Sequence, residues 1–185
     1  MLDWRWMPAY GALALVLFLA RPEPAPLAVG LLLVAAGLAL RVWGTGHLVK
    51  TERLIRSGPY AYLRHPLYAG TLLIGIGLVL AAWGPAAPWA AALLLALFFG
   101  YYLPYKERVE SARLEQRHGE IYRRYRERVP ALVPRGRRWP PPELRDTEPA
   151  PRWSARRFLA SSERQTVLAV GCVLVVLGVR SLLVP

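Results

Sequence analysis

The sequence predicts an all-α integral membrane protein of about five transmembrane helices, with a cytoplasmic amphipathic helical segment between the fourth and the fifth. Two observations carry this. Hydrophobic residues make up 55% of the 185 positions, and they are bunched into long runs with the charges confined between them. Segments that must satisfy their own backbone hydrogen bonds inside hydrocarbon have this pattern.

The first span is expected over residues 6–20. At ~1.5 Å per residue it is short for a ~30 Å hydrocarbon core, so flanking side chains must snorkel or the bilayer must thin. Trp4-Arg5-Trp6 precedes it and no small-residue cleavage site ends it, so it reads as a retained span and not as a cleaved signal. A Pro-rich turn leads into a second span, 27–42. The third covers 67–83, and an uncharged turn at 84–88 leads to the fourth, 89–105. That one ends in Phe98, Phe99, Tyr101 and Tyr102, rings that favour the membrane interface. The fifth covers 166–185.

Between the last two spans, residues 106–129 mix apolar and charged side chains as one or two amphipathic helices broken near Gly119. A Pro-rich connector follows at 130–151, expected to be extended and poorly packed. Trp153, Phe158 and Leu159 among arginines suggest a short interfacial helix. The organisation is thus a core at 1–135, a basic connector with its interfacial helix at 136–165, and the last span.

Sixteen of the 24 basic residues lie between Lys106 and Gln165, and Arg41, Lys50, Arg53, Arg56 and Arg64 mark the loop between spans two and three. The positive-inside rule makes both loops cytoplasmic, which puts the N-terminus inside and the C-terminus outside. The formal charge of +12 therefore reports topology and attraction to anionic headgroups; no nucleic-acid module is present. Richness in Ala, Leu and Arg suits a bacterial inner-membrane protein. Cys172, the single cysteine, excludes an intrachain disulfide, and three histidines with one cysteine show no metal-ligand spacing. Neither a G-x-S-x-G nor a phosphate-loop pattern occurs.

The informative stretch is the loop before span three, which holds Gly44-Thr45-Gly46-His47 and then Gly58-Pro59-Tyr60, Arg64-His65-Pro66, Tyr68 and Gly70. Gly58-Pro59 sets a turn, and Pro66 suits the first position of a helix. Arg64 and His65 then stand at a helix N-terminus, where free N–H groups favour a negative ligand group. Tyr68 and Gly70 fall within the first turns, Gly70 leaving room for close approach. His47 is either a general base or acceptor-positioning group, or a polar residue of the interface.

The pattern Gly58-Pro59-Tyr60-x-x-x-Arg64-His65-Pro66-x-Tyr68-x-Gly70 resembles the motif of the isoprenylcysteine carboxyl methyltransferase and phospholipid methyltransferase families. Past a membrane hairpin, Glu110, Leu114, Gly119, Tyr122, Tyr125, Val129 and Pro130 resemble the second half of that motif. The likeness spans roughly 40–135. Gly46-His47-Leu48-x-Lys50 further resembles a bacterial subgroup. Two departures stand out: Ser111 replaces the second acid of the usual pair, and His118 replaces a Phe. Losing that carboxylate either weakens donor binding or moves its role to Glu107, one helical turn earlier.

The resemblance implies an S-adenosylmethionine-dependent methyltransferase, yielding S-adenosylhomocysteine, with its donor held at the cytoplasmic face. It implies that Arg64 and His65 contact the donor's carboxylate or ribose and that Glu110 takes its ammonium. Tyr60 and Tyr68 pack on the adenine or the sulfonium; Pro66 and Gly70 shape the site, and Tyr122 and Tyr125 either wall it or pack their helix against the membrane. Arg64, Glu110 and His47 are the candidate catalytic residues. A carboxylate acceptor needs only a cation such as Arg64 or Arg128 to steer it, whereas an ammonium acceptor must lose a proton to His47, Glu107 or Glu110. A membrane-buried site implies a lipid-like or prenylated acceptor entering between helices. Gly70, Gly75 and Gly77 either leave a gap for it or permit helix packing. The alternative is a non-catalytic membrane scaffold or an inactive donor-binding relative; the scaffold leaves the paired motifs unexplained, and Ser111 motivates the inactive relative.

Overall fold

The structure, a computed structural model, describes residues 16–48, 54–136, 139 and 151–183, and is all-helical there, with no strand among the described residues. After a helical turn at 16–19, the elements are α1 (Pro24–His47), a 3-10 turn (Gly58–Ala61), α2 (Pro66–Ala82), α3 (Ala87–Leu97), a π turn (Phe98–Tyr102), α4 (Leu103–Arg128), α5 (Ala155–Leu159) and α6 (Glu163–Leu183). Among the described residues, α1, the continuous run Ala87–Arg128 and α6 are long and apolar enough to cross a membrane; α2 is apolar but shorter, at 17 residues. The first expected span lies mostly outside the described residues.

Helices α1 and α2 form the centre. They touch backbone to backbone, because a Cβ on Gly30 would lie 2.5 Å from the Gly77 carbonyl oxygen and one on Gly37 would lie 2.7 Å from that of Gly70. Small residues at two levels, seven residues apart on each helix, let the axes approach without bulky side chains between them, the usual solution where lipid supplies no hydrophobic drive. Gly75 looks the other way, towards Leu94 of α3. All three span-three glycines therefore serve helix packing and leave no gap. Helix α6 closes the third side, with Val170 against Val34 and Ile74, and Leu177 against Ala20, Ala81 and Ala82.

The fourth span and the amphipathic segment as far as Gly119 are one helical run, where the sequence suggested two elements. Pro104 has no N–H to donate and its ring crowds the carbonyl four residues back. The π turn just before it widens the helix and absorbs that defect without a break. The expected break at Gly119 is present, at φ 52° and ψ −127°. Beyond it the helix folds back, so that Ser111 and Tyr122, eleven residues apart, share a 2.8 Å hydrogen bond. Tyr122, Tyr125 and Val129 thereby pack against Leu54 and Leu114.

That backbone conformation is open to glycine and strained for any residue with a Cβ, although nothing stands within 4 Å of the site. Gly119→Ala is expected to cost about 1–3 kcal/mol through strain alone, measured by denaturant unfolding in detergent; an unchanged midpoint would mean the reversal is not built on this residue.

Part of the connector is well packed. Trp139 is buried against Tyr125 at 5.3 Å between ring centroids, beneath the Arg56 guanidinium, and its backbone N–H donates to the Ala61 carbonyl. Residues 140–150 lie outside the described residues. A short helix, α5, is present where the sequence placed Phe158 and Leu159 among arginines. Arg180, in α6, donates to the carbonyls of Phe18 and Ala20 at the opposite end of the bundle.

Candidate functional site

The site lies at the bundle end where α1 finishes and α2 begins. The two halves of the sequence motif meet there through the backbone: the N–H groups of Arg64 and His65 donate to the carbonyls of Pro130 and Ala131 at 2.8 and 3.0 Å. Arg64 Nε also donates to the Val129 carbonyl at 3.0 Å. The return of the chain after Gly119 thus fixes the segment that precedes α2.

His65 caps α2 and stacks on Tyr68, with ring centroids 5.1 Å apart and planes 17° from parallel. Glu110, on α4, reaches both: Tyr68 Oη donates to its Oε1, and His65 Nδ1 lies 3.6 Å from its Oε2. Tyr102, at the end of the π turn, meets the Tyr68 ring edge-on at 5.3 Å. Arg64 pairs with Glu107 through Nη2 at 2.6 Å. Two buried polar atoms beside this cluster, His65 Nε2 and Arg64 Nη1, have no hydrogen-bond partner among the described residues. Buried groups of this kind are costly unless something satisfies them.

Arg64, His65, Tyr68 and Glu110 line a cavity of about 350 Å³, within the size range of small-molecule sites. Its walls include Tyr60, Arg64, His65, Pro66, Tyr68, Glu110, Tyr122 and Tyr125, together with the apolar Leu48, Leu54, Ile55, Leu67 and Leu114. Arg113, Arg117 and His118 complete the α4 wall. With Glu110 and Leu114 they fall at offsets of three, four, seven and eight, one face of a helix, a signal the sequence held and motif matching passed over.

Burial pushes the Glu110 carboxyl up, but contacts from His65 and Tyr68 outweigh it and hold the group below the ordinary carboxylate range. It is therefore an anion at neutral pH. Burial pushes the Tyr60 and Tyr125 phenols well up, so both keep their protons, and Tyr125 uses its own to bind the Tyr60 carbonyl at 2.8 Å. The His118 imidazole is pushed down, first by burial and then by the Arg117 and Arg56 charges.

Other expected residues sit elsewhere. His47 is buried behind the cavity, its Nδ1 3.0 Å from the Trp43 carbonyl and its ring pressed on Gly58, where a Cβ would come within 2.7 Å. It does not line the cavity. Gly70 faces α1, where a Cβ would meet Arg41 Cγ at 2.5 Å. Gly46 seats the Trp153 indole, which would lie 2.0 Å from a Cβ there. Arg128 is exposed and not part of the wall. Ser111 is buried and turned to Tyr122, while Glu107 holds Arg64. Among the described residues no cluster could hold a metal ion.

A sequence model described as phospholipid methyltransferase matches residues 25–120, just over half of the chain and a stretch that takes in α1, the motif loop, the α2–α3 hairpin and α4 as far as the Gly119 turn. Comparison with curated proteins and with solved structures gives no match. With that match covering more than half of an apolar, all-helical chain, the protein belongs to the phospholipid methyltransferase family, a family of membrane methyltransferases.

Proposed function

We propose that the protein transfers a methyl group from S-adenosylmethionine to a lipid-like acceptor at the cytoplasmic face of the membrane. The observation that carries this reading is the cavity in which Glu110, oriented by Tyr68, lies beside two unsatisfied buried groups, Arg64 Nη1 and His65 Nε2.

The residues fit the donor's functional groups. Its ammonium asks for an anion, and Glu110 is one. Its carboxylate asks for a cation with a free N–H, which Arg64 Nη1 supplies. His65 turns Nδ1 to Glu110 and leaves Nε2 to meet a ribose hydroxyl, which can donate or accept. Tyr60 and Tyr68 offer aromatic surface to the adenine and the sulfonium. When bound, S-adenosylmethionine supplies a methyl carbon activated by its sulfonium. The protein's part is to align the partners and keep water out, and the leucines and Ile55 of the wall serve that end.

Of the bases weighed for an ammonium acceptor, only Glu110 lines the cavity. A carboxyl held below its ordinary range is a poor proton acceptor. An isoprenoid carboxylate needs no base, so it suits this site better than a phospholipid amine. Five spans, the organisation into a catalytic core at 1–135 with connector and last helix, and the inward orientation of both basic loops complete the reading. It is supported by the gathering of the α1 C-terminus, the α2 N-terminus and α4 at one end of the bundle.

The test is methyl-labelled donor offered to the protein in liposomes containing either a prenyl carboxylate or phosphatidylethanolamine. Alkali-labile label released as volatile methanol is expected from the first and little alkali-stable label from the second. No label in either, from folded protein, contradicts the reading.

A further inference from the structure

Outside the cavity, the most completely bonded polar cluster among the described residues is built on Arg41 of α1. Its Nε and Nη2 donate to the two carboxylate oxygens of Glu163 at 2.8 and 2.7 Å. Its Nη1 donates to the Leu67 carbonyl at 3.0 Å and to Thr71 Oγ1 at 2.5 Å. Glu163 opens α6, lies outside the family-matched stretch, and is 8% exposed. A planar guanidinium held on both edges has little freedom left.

Leu67 and Thr71 flank Tyr68 on the first turns of α2. Gly70 has no side chain where the Arg41 stem passes. The segment before α6 grips the same end of α1: Trp153 Nε1 donates to the Val42 carbonyl, and Ser154 N and Arg157 Nε both donate to that of Gly46. The Gly46 carbonyl, in the last turn of α1, has no partner within the helix, and the C-terminal segment supplies one.

We propose that Glu163 is a positioning residue for the donor site: it locks Arg41 onto Leu67 and Thr71, and so fixes the turn of α2 that presents Tyr68 to His65 and Glu110. The last helix is then a working part of the site and not only an added anchor. This rests on the donor reading given above, and the experiment separates the two.

Five proteins are compared in the same detergent: wild type, Glu163→Gln, Glu163→Asp, Thr71→Val and Leu177→Ala. The last loosens α6 at its other end without touching Arg41. One readout is the Kd for S-adenosylmethionine, the other the hydrogen exchange of amides 68–71 in donor-free protein. Glu163→Gln and Thr71→Val are expected to weaken binding about tenfold and to speed exchange, with Glu163→Asp partly restoring both; Leu177→Ala leaves Kd unchanged although it lowers stability. Equal Kd and exchange in wild type and Glu163→Gln overturn the proposal, as does a Leu177→Ala effect as large as that of Glu163→Gln. If wild type binds no donor while exchange responds as expected, the donor reading fails and the positioning link stands.

Discussion

Glu110→Gln is expected to weaken S-adenosylmethionine binding by about 10- to 100-fold, with little loss of stability. Among the described residues Glu110 is the only carboxylate of the cavity wall, and a hydrogen bond to a charged group contributes roughly 1.5–3 kcal/mol, tenfold in affinity for each ~1.4 kcal/mol. Glutamine keeps the shape and one oxygen for the Tyr68 hydroxyl, so the loss isolates the charge. His65→Ala should give a comparable drop, since it removes both the ring under Tyr68 and its Nε2. Arg113→Gln serves as a comparison on the same wall, with a smaller effect. Calorimetry on purified protein checks all three, and a Glu110→Gln Kd equal to that of wild type would remove Glu110 from the donor site.

The second large effect concerns stability. Arg41→Ala leaves the Glu163 carboxylate without its pair, and side chains only 15% and 11% exposed hold this bridge. Breaking a buried pair from one side costs about 3–5 kcal/mol, because the remaining charge is desolvated and uncompensated. Arg41→Met with Glu163→Leu removes both charges and is expected to recover most of that stability, since apolar pairs of similar volume replace buried ion pairs at little cost. Donor affinity stays low in the double variant, because Leu67 and Thr71 have still lost their clamp. Denaturant unfolding in detergent separates these outcomes; a double variant as unstable as Arg41→Ala would place the cost in packing and not in charge.

The residues that gather at the cavity were legible where spacing along the chain encodes them. Pro66 marks the start of α2, and the separation of Arg64-His65 from Glu110 brackets a hairpin whose helices are set by apolar run length. Gly119 announced the helix break by composition, and its positive φ bears that out. What stayed hidden depends on partners distant in sequence. Arg41 read as a topology marker, yet its partner lies 122 residues away. Gly46 and His47 drew notice as chemistry, whereas Gly46 is small for Trp153 and His47 packs on Gly58. Trp139 sat in a stretch whose prolines argued for looseness, but one buried ring is enough to anchor it. The continuity of the helix from the fourth span into the amphipathic segment escaped because the composition turns from apolar to charged at Lys106, whereas the backbone runs on through a π turn just before Pro104.

The most direct test of the central claim is calorimetric titration of S-adenosylmethionine and S-adenosylhomocysteine into wild-type protein in lipid nanodiscs, beside His65→Ala and Glu110→Gln. Micromolar binding by wild type that falls at least tenfold in both variants is the predicted result. Folded wild-type protein that binds neither compound would contradict the account and leave a membrane scaffold as the better one.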